Sequence, residues 1–163
     1  MASAFPRGRC LPISTVSAGL TIASTAYSSG DHVGGVFQFT VGDGIGPAYG
    51  EVCNVVVTDK AAVLGAAELW LFKGTAAPTV AADNAALSIA DADLPNLVGI
   101  WELSKAYTTA LNKIVTLAVT EGERPYFTGP NGILYGVLVT RSDHTFFGAV
   151  GDVTVTIYIE PEE

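Results

Sequence analysis

Two histidines, two cysteines and a thin set of carboxylates hold the reactive chemistry available to this 163-residue chain. His32 and His144 each follow an aspartate, Asp31 and Asp143. A carboxylate can orient an imidazole as a general base, but adjacent residues on a strand point to opposite faces, so neither dipeptide is a ready-made dyad. A Cys–His nucleophile would need Cys10 or Cys53 beside a histidine, and Cys53 alternates with apolar neighbours, as a small core residue does. No G-x-S-x-G is present, so a nucleophile elbow is absent. Gly42-x-Gly44-x-Gly46 has the glycine density of a phosphate loop, yet it lacks the GxGxxG spacing, a following helical pattern and a Walker lysine. It reads as a hairpin loop. Asp83, Asp91 and Asp93 could offer oxygens to calcium, without the EF-hand spacing; Asp91 and Asp93 fit the positive end of a short helix as well. The expectation is a non-enzymatic chain with no catalytic residue, no cofactor and no metal.

Cys10 and Cys53 have neither CxxC spacing nor a histidine cluster, which speaks against zinc. The expectation is two free thiols in a reducing compartment. Arg7 and Arg9 precede a weakly apolar stretch ending in Ala23-Ser24-Thr25-Ala26, an imitation of a signal peptide. Ser14, Thr15, Ser17 and Thr21 interrupt that stretch, so cleavage is not expected. Pro6, Pro12 and the small residues around them favour an extended N-terminal arm over 1–18, with the folded body over 19–163.

Composition narrows the class. Hydrophobic residues make up 49% and charged residues 15%, with a net charge of −8. Mean hydropathy is +0.41. Such a chain is too apolar for disorder. Without a basic stripe it is a poor nucleic-acid binder, and no apolar run is long enough for a membrane-spanning helix. All 16 acidic residues fall after residue 30, whereas the arm carries only Arg7 and Arg9. Ordinary domains have about 25% charged residues. The scarcity implies either a Thr-, Ser- and Gly-coated surface or a surface covered by other subunits.

The elements that would position these residues are strands. Period-2 alternation is clearest over Asp152–Ile159, where Val153, Val155, Ile157 and Ile159 share a face. It recurs over Leu20–Tyr27, Gly35–Val41, Glu51–Thr58, Ala67–Lys73, Leu97–Leu103 and Lys113–Val119. Ile133–Thr140 is apolar on both faces, as in a strand covered on both sides. Turn residues separate the runs. The Ala-rich segment 76–96 lacks alternation, and Ser88-Ile89-Ala90-Asp91 has the form of a helix start, giving one short helix or 3₁₀ turn over about 88–94. About eight strands and one short helix predict an all-β fold, an antiparallel sandwich of jelly-roll-like or immunoglobulin-like type. The adjacent pairs Tyr126-Phe127 and Phe146-Phe147 lie next to turns, so one ring of each pair should face outward to an oligomer interface, a partner or a sugar.

One ordered series of segments carries a resemblance: Tyr27-Ser28-Ser29-Gly30-Asp31-His32-Val33-Gly34-Gly35, Val56-Val57-Thr58-Asp59-Lys60, Leu69-Trp70-Leu71-Phe72, Asp83-Asn84-Ala85-Ala86, Asp91-Ala92-Asp93-Leu94, Leu97-Val98-Gly99 and Leu134-Tyr135-Gly136-Val137-Leu138-Val139-Thr140. Over roughly residues 20–160 the chain resembles the small virion structural proteins of tailed bacteriophages, of the head decoration or capsid cement type. The resemblance implies a protein on the outer surface of the virion capsid, made in the host cytoplasm. There it would bridge neighbouring major capsid subunits, often as a homotrimer. It implies that a terminal arm makes capsid contacts, here Phe5, Arg7, Arg9, Leu11 and Ile13, with the arginines pairing with acidic groups on the shell. From composition, no nucleic-acid or membrane partner is expected. The alternative is a carbohydrate-binding or host-recognition sandwich on the virion, for which Tyr126, Phe127, Phe146 and Phe147 would supply the stacking rings.

Overall fold

The computed structural model of the protein describes residues 10–14, 20–22, 25–41, 48–103, 105–118, 126–129, 131–143 and 152–162. Among these, ten strands form two antiparallel sheets: β1 (Leu11–Ser14), β2 (His32–Thr40), β3 (Ala48–Asp59), β4 (Ala67–Lys73), β5 (Leu97–Leu103), β6 (Lys105–Thr108), β7 (Lys113–Ala118), β8 (Tyr126–Gly129), β9 (Ile133–Thr140) and β10 (Val153–Glu162). A single 3₁₀ turn, Asp91–Asn96, precedes β5.

The first sheet runs β1-β10-β3-β7-β6, and the second runs β2-β9-β4-β5. β3 is twelve residues long, long enough to take β7 along Asn54–Asp59 and β8 along Ala48–Glu51 on the same flank. The pairing is nested. β1 lies on β10, β2 on β9, β3 on β8 and β4 on β5. A chain folded back on itself in this way and rolled into two sheets is a jelly roll. An immunoglobulin-type sandwich places its first two strands side by side instead, so the strand order decides between the two forms expected.

Alternation builds the core between the sheets. Val153, Val155, Ile157 and Ile159 of β10 face inward and are buried, as are Val55 and Val57 of β3, Phe37 and Phe39 of β2, and Leu69 and Leu71 of β4. β9 is buried on both faces. Leu134 and Leu138 join the inter-sheet core, whereas Tyr135, Val137 and Val139 face outward into a second cluster with Phe72. Val80, Leu87 and Ile89 of the segment between β4 and β5 cover that cluster. The Ala-rich stretch is therefore a lid over the outer face of the second sheet.

The fold differs from the sequence reading in three places. The described residues of the expected strand Leu20–Tyr27, 20–22 and 25–27, belong to no named strand, and Leu20 and Tyr27 are buried core residues. The 3₁₀ turn starts later than expected and has no side-chain cap, so Ser88 does not initiate it. The extended segment at 11–14 is not a free arm. It pairs with β10 in register Leu11↔Ile159 to Ser14↔Thr156, and Ile13 packs against the main core.

Candidate functional site

Four of the aspartates named above, Asp31, Asp83, Asp93 and Asp143, accept backbone N–H groups. The Asp31 carboxylate accepts the Ser28 N–H at 2.7 Å, and Asp143 accepts the Ser29 N–H at 2.8 Å. The two aspartates that precede the histidines thus organise the turn before β2. His32 is fully buried, and neither ring nitrogen has a hydrogen-bond partner among the described residues; His144 lies outside them. Asp83 accepts the Tyr27 hydroxyl and the Gly34 N–H. The Asp93 carboxylate accepts the Thr79 N–H at 2.7 Å. The structure does not gather Asp83, Asp91 and Asp93 into a ligand cluster. Asp59, not picked out from the sequence as a site residue, is a fully buried carboxylate with three backbone partners. It accepts N–H groups of Ala61 (2.8 Å), Val63 (2.7 Å) and Leu64 (2.6 Å), and it ties down the turn after β3. The signal was present as Asp59-Lys60 at the end of an apolar run, where a carboxylate commonly closes an Asx turn.

The cysteines are not free thiols. Cys10 and Cys53 form a disulfide with a Cα–Cα distance of 6.4 Å. They sit on the segments flanking β10, and next-nearest strands stand roughly 9.6 Å apart, too far for a bridge. A bulge narrows the gap. Tyr158 pairs with Asn54 but Ile159 pairs with Val52, which leaves Cys53 as the extra residue of β3. Sequence spacing alone carries no trace of that bulge.

The proposed contact residues divide. Phe5, Arg7, Arg9, Phe146 and Phe147 lie outside the described residues. Leu11 and Ile13 are half-buried in β1 and serve the chain's own sheet. Phe127 is 0% exposed and belongs to the core. It sits opposite Gly50, facing inward rather than toward a partner. Tyr126 occupies the preceding register position, opposite Glu51.

What the structure presents instead is a sheet face. On the outer side of the first sheet, Asn54, Val56 and Thr58 of β3 pair with Tyr158, Thr156 and Thr154 of β10. All six are half-buried or exposed, and none is charged. The row through Thr58 continues to Ile114 of β7 and Tyr107 of β6. Ile114 is 38% exposed and Tyr107 61%. Leu111, at the tip of the β6–β7 hairpin, is 82% exposed. All four β6 residues are exposed at the edge of the sheet. Glu51 and Glu160, directly opposite each other, close the other end of the face.

Electrostatics elsewhere are local. Arg141 and Glu68 form an ion pair at 2.5 Å. The Arg141 hydrogen bond holds the Glu68 carboxyl below its ordinary range, assisted by the Trp70 indole N–H and opposed by partial burial. The Glu68 hydrogen bond raises Arg141 in turn. Among the described residues no helix is long and apolar enough to cross a membrane.

No protein-family model matches the chain, and no curated protein matches it. Among solved structures, a similar chain occurs in the structure of a marine algae virus of the order Picornavirales. It is 13% identical, with 97% of this chain and 69% of that chain covered and a TM-score of 0.24. That score is too low for the likeness to bear on function.

Proposed function

We propose that this chain is a non-enzymatic virion structural protein that binds the outside of a phage capsid and stabilises it by bridging neighbouring major capsid subunits. The observation that carries the reading is the outer face of the first sheet, where six central side chains from two paired strands include no charge. Charge-depleted centres with aromatic and aliphatic neighbours characterise protein interfaces, and Tyr107, Ile114 and Leu111 supply those neighbours at one rim. The jelly roll is compatible with this role, since capsid and lectin domains both use it, but a fold alone does not choose a function. The sequence resemblance to head decoration proteins favours the capsid.

In this reading Leu11 and Ile13 hold β1 in place, and outward arm contacts fall to Phe5, Arg7 and Arg9. Each copy binds weakly, and many copies together resist the outward pressure of packaged DNA. A homotrimer at positions of local three-fold symmetry would place several such faces on adjoining capsid subunits. The carbohydrate-binding alternative loses Phe127 to the core.

Mass spectrometry of purified particles tests the proposal. The chain should be present at a copy number commensurate with the shell, and Thr58→Glu in the centre of the face should leave particles without it while the purified variant remains folded. Absence of the parent chain from particles, or undiminished incorporation of the variant, overturns the reading.

A further inference from the structure

We propose that the reduced form of the Cys10–Cys53 bridge is a zinc site, completed by Glu160, so that β1 is clasped to the sandwich in both redox states. Among the described residues, Cys10 Sγ, Cys53 Sγ and a Glu160 carboxylate oxygen are grouped with all three ligand atoms within 4.8 Å of one another. They come from three neighbouring segments of one sheet, with Glu160 on the strand between the cysteines. Tetrahedral zinc with bond lengths of about 2.3 Å to sulfur and about 2.0–2.2 Å to oxygen requires ligand atoms roughly 3.4–3.8 Å apart. The carboxylate oxygen lies within 4.8 Å of both sulfurs, so a small side-chain shift brings it to that spacing. The two sulfurs must also separate, and Cys10 precedes β1 rather than lying within its ladder, so its side chain can turn without breaking a pair. Water fills the fourth position.

The chemistry balances simply. A dithiol reductant breaks the S–S bond, becomes a cyclic disulfide and leaves two thiols on the protein. Zn²⁺ binding then displaces the two thiol protons, because the thiolate is the ligand. Cysteine thiolates select a soft or borderline ion, and zinc needs no redox change to bind. The consequence is structural. β1 has only four paired residues, and the metal would replace the covalent link that reduction removes.

The test uses the full chain, reduced with a phosphine, stripped of metal and titrated with ZnCl₂ against a chromogenic chelator. The reduced chain should take up one Zn²⁺, the oxidised chain none. Glu160→Gln should bind at least about tenfold more weakly, and Cys53→Ser should lose the site. Cobalt substitution should give sulfur-to-metal charge-transfer bands. Zn²⁺ should also return the melting temperature of the reduced chain toward that of the oxidised one, and excess chelator should remove the gain. Uptake by the reduced parent no greater than by Cys53→Ser overturns the site. Binding by Glu160→Gln equal to the parent overturns the carboxylate as a ligand. The redox comparison on the parent chain needs no variant to fold.

Discussion

Asp83 and Gly34 are joined across 49 residues of sequence by a 2.6 Å hydrogen bond from the Gly34 N–H to the carboxylate. Gly34 lies at a bulge of β2, between Val33↔Leu138 and Val36↔Val137, where the ladder leaves its N–H without a strand partner. Its φ is +82°, and an added Cβ would sit 2.4 Å from Leu20 Cβ. Gly34→Ala should therefore destabilise the fold by about 2 kcal/mol through backbone strain alone, with the Leu20 clash added. Asp83→Ala should cost a similar ~2 kcal/mol, because a charge-assisted bond to a partly buried donor is lost. Urea unfolding of both variants checks these values.

Asp59→Ala should be more damaging. The carboxylate is 0% exposed and satisfies three backbone donors. Its removal leaves those donors short of partners, at about 1–3 kcal/mol each where they stay buried. Asp59→Asn keeps an acceptor oxygen and should recover part of the loss. The two variants should separate clearly in thermal melts.

Reduction of the disulfide should lower stability by about 4 kcal/mol on the chain-entropy account, since the linked residues are 43 apart in sequence. Metal-free melts with and without reductant measure this. Thiol titration of the unreduced chain should find no free cysteine.

The Glu68–Arg141 pair predicts a modest acid sensitivity. The Glu68 carboxyl is lowered from 4.5 by its Arg141 hydrogen bond, so its contribution is complete above the unfolded value and fades as pH falls through the folded one. Both side chains retain solvent exposure, 38% for Arg141 and 20% for Glu68, which limits the pair to about 0.5 kcal/mol. Glu68→Gln should lower stability by that amount at neutral pH and by nothing once the pH is well below 4. Unfolding curves at several pH values give the comparison.

Leu111→Glu should leave stability unchanged within about 0.5 kcal/mol, because the side chain is almost wholly in solvent. If the hairpin tip contributes to assembly, the variant should show weaker particle association with an unaltered melting temperature.

The strands with a hydrophobic signal on at least one face were legible. β4, β5 and β9 have the boundaries that alternation and apolar runs predict, and β10 keeps its inward set from Val153 to Ile159. The two-faced apolarity of β9 correctly implies cover on both sides, and the Ala-rich segment supplies it. β1, β6 and β8 were not legible. Each has four residues, too few for a period to emerge, and each exists because a longer strand offers it an edge. The same limit hid the cysteine pairing, which depends on the bulge at Cys53. Nor could the sequence say which ring of Tyr126-Phe127 turns inward; the register with Gly50 makes it Phe127. The candidate face could be read as alternating uncharged positions of β3 and β10, but their adjacency came only with the sheet order.

The nested pairing has a consequence for how the molecule is made. The partners of β1 and β2 are β10 and β9, which leave a ribosome after the other described strands. Neither sheet can be completed until β9 and β10 have been made, and contacts this remote in sequence are slow to form. During that interval the apolar faces of β2, β3 and β4 have no cover of their own. The nascent chain should therefore depend on chaperones that hold exposed strands, and truncation anywhere before residue 153 should yield aggregate rather than a smaller domain.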